Sequence, residues 1–192
     1  MKETRYEIRL SGSGGQGIIT AAVVLAEAAG VYGGKHVAQT QSYGPEARGG
    51  ACKSEVVLSS EEIAYIKGNK LDVLVVMSQP ALDKYFERVL PDHTLVIYDN
   101  TLVENIPSEI KHTIGIDATR LAEKTFGRPL FANIILLGVL ASATGFVTLD
   151  SLSRSLEGSV PPKTLETNRQ ALQKGSEAFR KLSFEPCQSH LG

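Results

Sequence analysis

The stretch that decides the fold is Tyr6–Gly17, which reads YEIRLSGSGGQG. Its opening residues alternate between polar and apolar side chains, a period of two that predicts a β-strand. Glycines then stand at Gly12, Gly14 and Gly17, in the spacing G-x-G-x-x-G. The following segment, Ile18–Ala29, is rich in Ala, Val, Ile and Leu and has a single charged residue, which predicts a helix packed closely on a sheet. A strand, a glycine turn and a helix in this order indicate the first unit of an α/β domain.

Beyond this unit, strand patterns alternate with helix patterns. Strands are predicted at residues 35–41, 51–58, 61–67, 71–77, 94–98 and 113–116. Helices are predicted at residues 79–89, 118–124, 131–144, 149–156 and 163–182. The alternation predicts a three-layer α/β/α fold with a mostly parallel sheet that also contains antiparallel pairs. We expect a single domain over residues 1–182, followed by a tail at residues 183–192.

Composition narrows the function. The chain has 192 residues, of which 42% are hydrophobic, and its 20 basic against 21 acidic residues leave a net charge of −1. This balance argues against a basic nucleic-acid binder and against a polybasic membrane anchor. The longest apolar stretch, residues 131–145, is shorter than the roughly 20 residues that a membrane span needs, so it predicts a buried helix.

The cysteines and histidines predict no catalytic or metal site. The chain has two cysteines, Cys52 and Cys187, which are far apart in sequence. They form neither a disulfide framework nor the set of about four thiolates that an iron–sulfur cluster needs. A reduced, cytoplasmic compartment fits this usage. The four histidines stand singly, so no catalytic residue is assigned to the chain.

The glycine turn is the first candidate ligand site, with Gly12, Gly14, Gly15, Gln16 and Gly17 as its residues. Glycines let the backbone approach a ligand, and the helix that follows presents N–H groups to an anion such as a phosphate. A purely structural alternative remains, in which the glycines only allow close packing of strand on helix.

A nicotinamide dinucleotide site is disfavoured by a missing acid. Such sites need an Asp or Glu about 20 residues beyond the glycines to hold the ribose hydroxyls. No carboxylate residue occurs between Glu27 and Glu46.

A second candidate site is the segment at residues 42–50, which reads SYGPEARGG. Its candidate residues are Tyr43, Glu46, Arg48, Gly49 and Gly50. An arginine held between turn-forming residues can grip a carboxylate or phosphate with two hydrogen bonds. The alternative is a structural turn with a surface ion pair. Because this segment follows the second strand, we expect it at the same carboxyl edge of the sheet as the glycine turn, where open α/β sheets bind ligands.

Together the two segments, with the region that follows them through residues 54–63 and 71–75, resemble the gamma subunit family of 2-oxoacid:ferredoxin oxidoreductases, also known as the pyruvate/ketoisovalerate oxidoreductase gamma family. The form YGPEARGG is similar to the 2-oxoglutarate branch of that family. The Arg-Gly-Ala-Pro continuation of pyruvate-type subunits and the Met-Ala-Gln-Arg-Gly-Gly of indolepyruvate-type subunits do not occur here.

The resemblance implies a division of labour among subunits. Thiamine diphosphate, magnesium and iron–sulfur clusters would lie on alpha- and beta-type partners, with a small ferredoxin-like subunit as a further partner, and this chain would bind no cofactor alone. The complex would convert a 2-oxoacid and coenzyme A to an acyl-CoA, carbon dioxide and reduced ferredoxin. This chain would contact coenzyme A through the two segments, with Arg48 and Lys53 as cations, or would serve assembly.

Two alternatives stay open from the sequence. One is a stand-alone α/β module that binds a nucleotide or a flavin. The other is a gamma-type subunit of a pyruvate, branched-chain or indolepyruvate oxidoreductase.

Overall fold

The computed structural model describes residues 4–42, 50–66, 68 and 70–182. The strands are β1 (Arg5–Ser13), β2 (His36–Ser42), β3 (Ala51–Ser59), β4 (Val73–Val76), β5 (Leu95–Asp99) and β6 (Thr113–Ile116). The α-helices are α1 (Ile18–Glu27), α2 (Gln79–Lys84), α3 (Ala118–Phe126), α4 (Ala132–Thr144), α5 (Leu149–Ser159) and α6 (Leu165–Lys181). A π-helical turn at Ala28–Tyr32 extends α1, and 3-10 turns at Pro129–Phe131 and Pro162–Thr164 precede α4 and α6.

The six strands form one sheet in the order β2-β3-β1-β4-β5-β6. In one part of the sheet, formed by β1, β4, β5 and β6, each strand is parallel to its neighbour. Strand β3, by contrast, runs antiparallel to both of its neighbours, β1 and β2. The predicted α/β fold with a mixed sheet is therefore confirmed. Because β1 and β2 are both antiparallel to β3, they point the same way, and their carboxyl ends lie at one edge of the sheet.

Helices and loops cover the sheet on both faces, and each face has its own core. The larger core packs α1, α3 and α4 against apolar side chains such as Ile8 and Leu10. The smaller core lies under α2 and the segment between β5 and β6, around Leu74 and Val96. All residues of β4 are buried, as expected for a strand covered on both faces.

Helix α4 is apolar on every side because it lies between the sheet and α6. Two glycines allow the close approach of α4 and α6. A Cβ atom on Gly138 would lie 2.1 Å from the carbonyl oxygen of Leu172, and one on Gly175 would lie 1.9 Å from the carbonyl oxygen of Ile135. The helix backbones therefore touch, and no larger residue fits at either position.

Two predicted elements differ from the structure. Residues 61–66 form no strand, although the pattern at residues 61–67 predicted one. The helix predicted at residues 79–89 ends at Lys84, because the chain turns sharply at Tyr85 and reaches a left-handed φ of 69° at Arg88.

The close contact of α4 and α6 generates a stability prediction. Gly175→Ala adds a methyl group where the facing backbone leaves no room, so we expect it to lower the free energy of unfolding by about 2–3 kcal/mol, despite the better helix propensity of alanine. Gly158→Ala in α5 is the matched control, because its Cβ would meet no atom within 4 Å. Denaturant unfolding of both variants measures the difference. Equal stability of the two would contradict the packing argument.

Candidate functional site

The glycine turn meets the described end of the second segment, Gly50, at the carboxyl edge of the sheet. The glycine turn follows β1, and Gly50 leads directly into β3 beside it. The backbone N–H of Gly14 donates to the carbonyl oxygen of Gly50 at 3.0 Å. This edge also contains the switch point of the fold, because the chain leaves β1 toward β2 on one face and leaves β4 toward β5 on the other. Open α/β sheets bind ligands at such a point.

The glycines of the turn have different roles. Gly12 lies in the last part of β1, where a Cβ would come within 2.6 Å of Gln16 Oε1. Gly17 caps α1 in a left-handed conformation with a φ of 73°, and a Cβ there would come within 2.4 Å of Asn133 Nδ2. Gly14 and Gly15 are exposed, and Gly15 has a φ of 94°. Gly12 and Gly17 therefore serve packing, while Gly14 and Gly15 present backbone to the outside.

Gln16 braces the turn from within. Its Oε1 accepts a hydrogen bond from the backbone N–H of Ser13 at 2.7 Å, and its Nε2 donates to the carbonyl oxygen of Met77 at 2.9 Å. The Gln16 amide thus joins the end of β1 to the end of β4. Both ends of this amide are engaged inside the protein, which makes Gln16 a structural member of the candidate site.

Two further polar residues shape the turn and were not identified from the sequence. Asn133, buried at the start of α4, donates from Nδ2 to the carbonyl oxygen of Gly17 at 2.9 Å. Ser78, which precedes α2, shares a hydrogen bond of 3.1 Å between its Oγ and that of Ser13. Asn133 was detectable in principle, because it is the polar residue at the start of an otherwise apolar helix.

The second candidate segment is only partly described. Gly50 is half-buried, and its carbonyl oxygen accepts the hydrogen bond from the Gly14 N–H, so it belongs to the candidate site. Tyr43, Glu46, Arg48 and Gly49 lie outside the described residues and stay predictions.

A buried ion network lies beside the site, on the face of β1 and β3 that α2 covers. Arg9 is 1% exposed, and its Nε and Nη2 donate to Glu55 Oε1 at 2.9 and 2.6 Å. Its Nη1 donates to the carbonyl oxygens of Tyr85 and Glu87 at 2.6 and 3.0 Å. A buried charge is tolerated only when it is paired and hydrogen-bonded in this way, so Arg9 requires all these partners.

Lys53 belongs to the same network. Its Nζ lies 2.9 Å from Glu87 Oε1 and 5.0 Å from the ring centre of Tyr85. Glu87 Oε1 also lies 3.1 Å from Arg9 Nη1. Because Glu87 neutralises Lys53, this lysine is a weaker candidate for holding an anionic ligand than the sequence implied.

The network also sets the ionisation of Glu55. Burial opposes the charged form of this carboxyl, but the hydrogen bond and charge of Arg9, with the charges of Arg88 and Lys53, together outweigh it. The pKa of Glu55 consequently lies below its usual value.

Two cavities lie away from the exposed tip of the turn. One of about 170 Å³ lies behind Gly17 and is lined by residues around the start of α4, the end of α5 and the start of α6, such as Phe131 and Val160. A larger cavity of about 590 Å³ lies between α3 and α6 and is lined by none of the predicted site residues.

The sequence between residues 7 and 178 matches the profile of the family described as pyruvate ferredoxin/flavodoxin oxidoreductase. The chain belongs to this oxidoreductase family. Among curated proteins it is 46% identical to the 2-oxoglutarate synthase subunit KorC of Methanocaldococcus jannaschii, over 93% of this chain and 96% of that protein. It is 43% identical to the KorC subunit of Methanothermobacter marburgensis, over 90% of this chain and 96% of that protein.

A solved structure resembles this oxidoreductase-family chain along nearly its whole length. It is the keto/oxoacid ferredoxin oxidoreductase gamma subunit from Geobacter sulfurreducens, with a TM-score of 0.82 and 38% sequence identity. The match covers 92% of this chain and 97% of the Geobacter chain. The resemblance to gamma subunits inferred from the two segments is confirmed.

The described part of this oxidoreductase-family chain contains neither a cluster of metal-ligating side chains nor a candidate membrane span. Its residues contain no group of three or more His, Cys, Asp or Glu that could hold a metal ion. None of the described helices combines the length and apolar character needed to cross a membrane.

Cys52 is buried opposite Gly12 in the β1–β3 pair, and burial raises the pKa of its thiol.

The lowered pKa of Glu55 predicts an acid-sensitive fold. An ion pair whose carboxyl has a lowered pKa contributes fully above the ordinary value of about 4.3 and loses its contribution as the pH falls. We expect Glu55→Gln to lower the free energy of unfolding near neutral pH by about 3 kcal/mol, because Arg9 and Arg88 then lack their shared carboxylate. Between about pH 6 and about pH 3 the variant should lose less stability than the wild type.

The control is Glu177→Gln, which removes an exposed carboxylate paired with Lys174. Exposed pairs contribute little, so this variant should keep the wild-type stability and pH dependence. Denaturant unfolding across the pH range tests both variants. A Glu55→Gln protein that loses as much stability in acid as the wild type would contradict the assignment.

Proposed function

We propose that this chain is the gamma subunit of a thiamine diphosphate-dependent 2-oxoacid:ferredoxin oxidoreductase, and that its 2-oxoacid is 2-oxoglutarate. The observation that carries the proposal is the 43–46% identity to KorC subunits over 96% of their length. The motif YGPEARGG at residues 43–50 supports the same branch. The complex would oxidise 2-oxoglutarate with coenzyme A to an acyl-CoA and carbon dioxide, and would pass two electrons to ferredoxin, one at a time.

In this proposal the reaction centre lies on partner subunits. Thiamine diphosphate, bound with magnesium, supplies the electron sink for decarboxylation, and iron–sulfur clusters supply the path to ferredoxin. We assign these groups to alpha- and beta-type subunits and to a small ferredoxin-like subunit. The widely separated Cys52 and Cys187 support this assignment, because an iron–sulfur cubane needs about four thiolates. The complex would work in the cytoplasm.

The contribution of this chain would be to hold coenzyme A. The exposed backbone at Gly14 and Gly15 precedes the amino end of α1, where N–H groups and the helix dipole favour an anion such as the pyrophosphate of coenzyme A. Gln16 and Asn133 keep this backbone in one conformation, so little ordering is needed when the ligand binds. Because Lys53 is already paired with Glu87, Arg48 is the cation we propose for the phosphates.

A charge placed at the tip of the glycine turn tests this role. Gly15→Asp and Gly15→Asn strain the backbone alike and have open space for the side chain, so they differ in charge alone. In the complete complex, we expect the KM for coenzyme A to be about fivefold higher for Gly15→Asp than for Gly15→Asn, because a like charge beside a phosphate costs on the order of 1 kcal/mol.

The difference between the two Gly15 variants should shrink at high salt, where exposed charges are screened. The KM for the 2-oxoacid should be the same for both variants, because that substrate reacts on partner subunits. Equal KM values for coenzyme A in the two variants would remove the glycine turn from the binding site.

Arg48 provides a separate test of the second segment. In the complex, Arg48→Ala should reduce activity about tenfold to hundredfold, which corresponds to the loss of one charge-assisted contact. Arg48→Lys should restore only part of the activity, because lysine cannot form two parallel hydrogen bonds to a phosphate. A raised coenzyme A requirement with intact co-purification of the partners indicates ligand contact, whereas loss of co-purification indicates a subunit interface. Wild-type turnover and assembly would make the segment a structural turn.

A further inference from the structure

Tyr85 connects the layer formed by α2 to the candidate site. It follows the last residue of α2 and is 6% exposed. Its ring packs in the smaller core, together with Ala51 and Leu74. Its hydroxyl donates to the carbonyl oxygen of Ala51 at 2.8 Å, in a buried position. Tyr85, in the layer formed by α2, thus restrains the backbone at the start of β3 through this hydrogen bond.

The position of Tyr85 is itself fixed by the ion network. Arg9 Nη1 donates to the carbonyl oxygen of Tyr85 at 2.6 Å, and the same guanidinium is held by Glu55 on β3. The cation of Lys53 lies over the ring at 5.0 Å. Backbone, ring and hydroxyl of Tyr85 are therefore each restrained, so its hydroxyl meets Ala51 in a single geometry.

Ala51 is the point at which this restraint reaches the glycine turn. It pairs with Ser13 in the β1–β3 register and lies beyond the last pair of β2 and β3, Ser42 with Lys53. The residue before it, Gly50, accepts the hydrogen bond from Gly14. A shift of Ala51 would consequently move the acceptor that sets the exposed backbone at Gly14.

We propose that Tyr85 is a positioning residue for the coenzyme A site. Its hydroxyl sets Ala51 and Gly50, and the hydrogen bond from Gly14 to Gly50 in turn sets the exposed turn at Gly15, where the ligand would bind. This inference rests on the function proposed above, because the ligand it positions is coenzyme A. Tyr85 touches neither the ligand nor the reacting atoms, and it acts by keeping the site in its binding conformation before the ligand arrives.

The test is Tyr85→Phe in the complete complex, which removes only the hydroxyl. The matched control is Tyr98→Phe on β5, because Tyr98 also packs against the smaller core and its hydroxyl has no hydrogen bond among the described residues. We expect Tyr85→Phe to raise the KM for coenzyme A about fivefold to tenfold, the effect of losing one hydrogen bond, with kcat and assembly nearly unchanged. Tyr98→Phe should leave both parameters at the wild-type value.

Hydrogen exchange gives a readout that does not depend on coenzyme A. In the complex without ligand, the amide of Gly14 should exchange faster in Tyr85→Phe than in Tyr98→Phe, because its acceptor at Gly50 is less firmly held. Unchanged exchange together with an unchanged KM would overturn the positioning role. A lower melting temperature with a wild-type KM would also overturn it, since Tyr85 would then be structural only.

The Gly15 pair separates this inference from the proposed function. If Gly15→Asp and Gly15→Asn differ in their KM for coenzyme A while Tyr85→Phe has the wild-type KM, only the inference about Tyr85 fails. If the Gly15 variants have equal KM values, the coenzyme A site itself is misplaced, and the inference falls with it.

Discussion

The architecture depends on the buried guanidinium of Arg9. A charge in this position is unfavourable unless its donors find acceptors. Here Arg9 of β1 donates to two other parts of the chain: Glu55 of β3, and two backbone carbonyls of the turn after α2. The consequence is that one side chain sets the pairing of an antiparallel strand and the end of a helix together. It also explains why α2 stops at Lys84, since the carbonyls that Arg9 requires face it only after the helix has ended.

The opposite face of the sheet is held by different means. There the contact is apolar, and α4 meets α6 so closely that Gly138 and Gly175 are required. The candidate site lies where the two layers join, because Asn133 reaches Gly17 from α4 while Ser78 reaches Ser13 from the start of α2. Both faces of the sheet thus contribute to the conformation of one short turn.

Most strands and helices of the fold could be predicted from the sequence. The order of the strands and the end of α2 could not, for physical reasons. Alternating and β-branched sequence patterns predicted the main strands, because the pattern of a strand depends on which of its own faces are buried. The place of β3 between β1 and β2 was not predictable, because an alternating pattern gives no information about which strand is its neighbour. The end of α2 was missed because it depends on Arg9, which lies far away in sequence.

The candidate site, like the fold, could be predicted only in part from the sequence. The glycine spacing marked the turn and its edge of the sheet, because glycine is demanded by local backbone geometry. The roles of Gln16, Asn133 and Tyr85 could be identified only from the three-dimensional structure, because each acts through a partner that is distant in sequence. Gln16 was predicted as a ligand residue, and its amide is occupied by internal hydrogen bonds. The arrangement of Tyr43, Glu46, Arg48 and Gly49 stays a prediction.

The bond between Asn133 and Gly17 has a consequence for biosynthesis. The glycine turn lies near the beginning of the chain, yet its conformation is completed by Gly50, Met77 and finally Asn133. A nascent chain on the ribosome therefore cannot form the finished turn until the first residues of α4 have emerged. The turn at this edge is therefore completed late in synthesis, when most of the sheet already exists, and a fragment that ends before α4 lacks the hydrogen bond from Asn133.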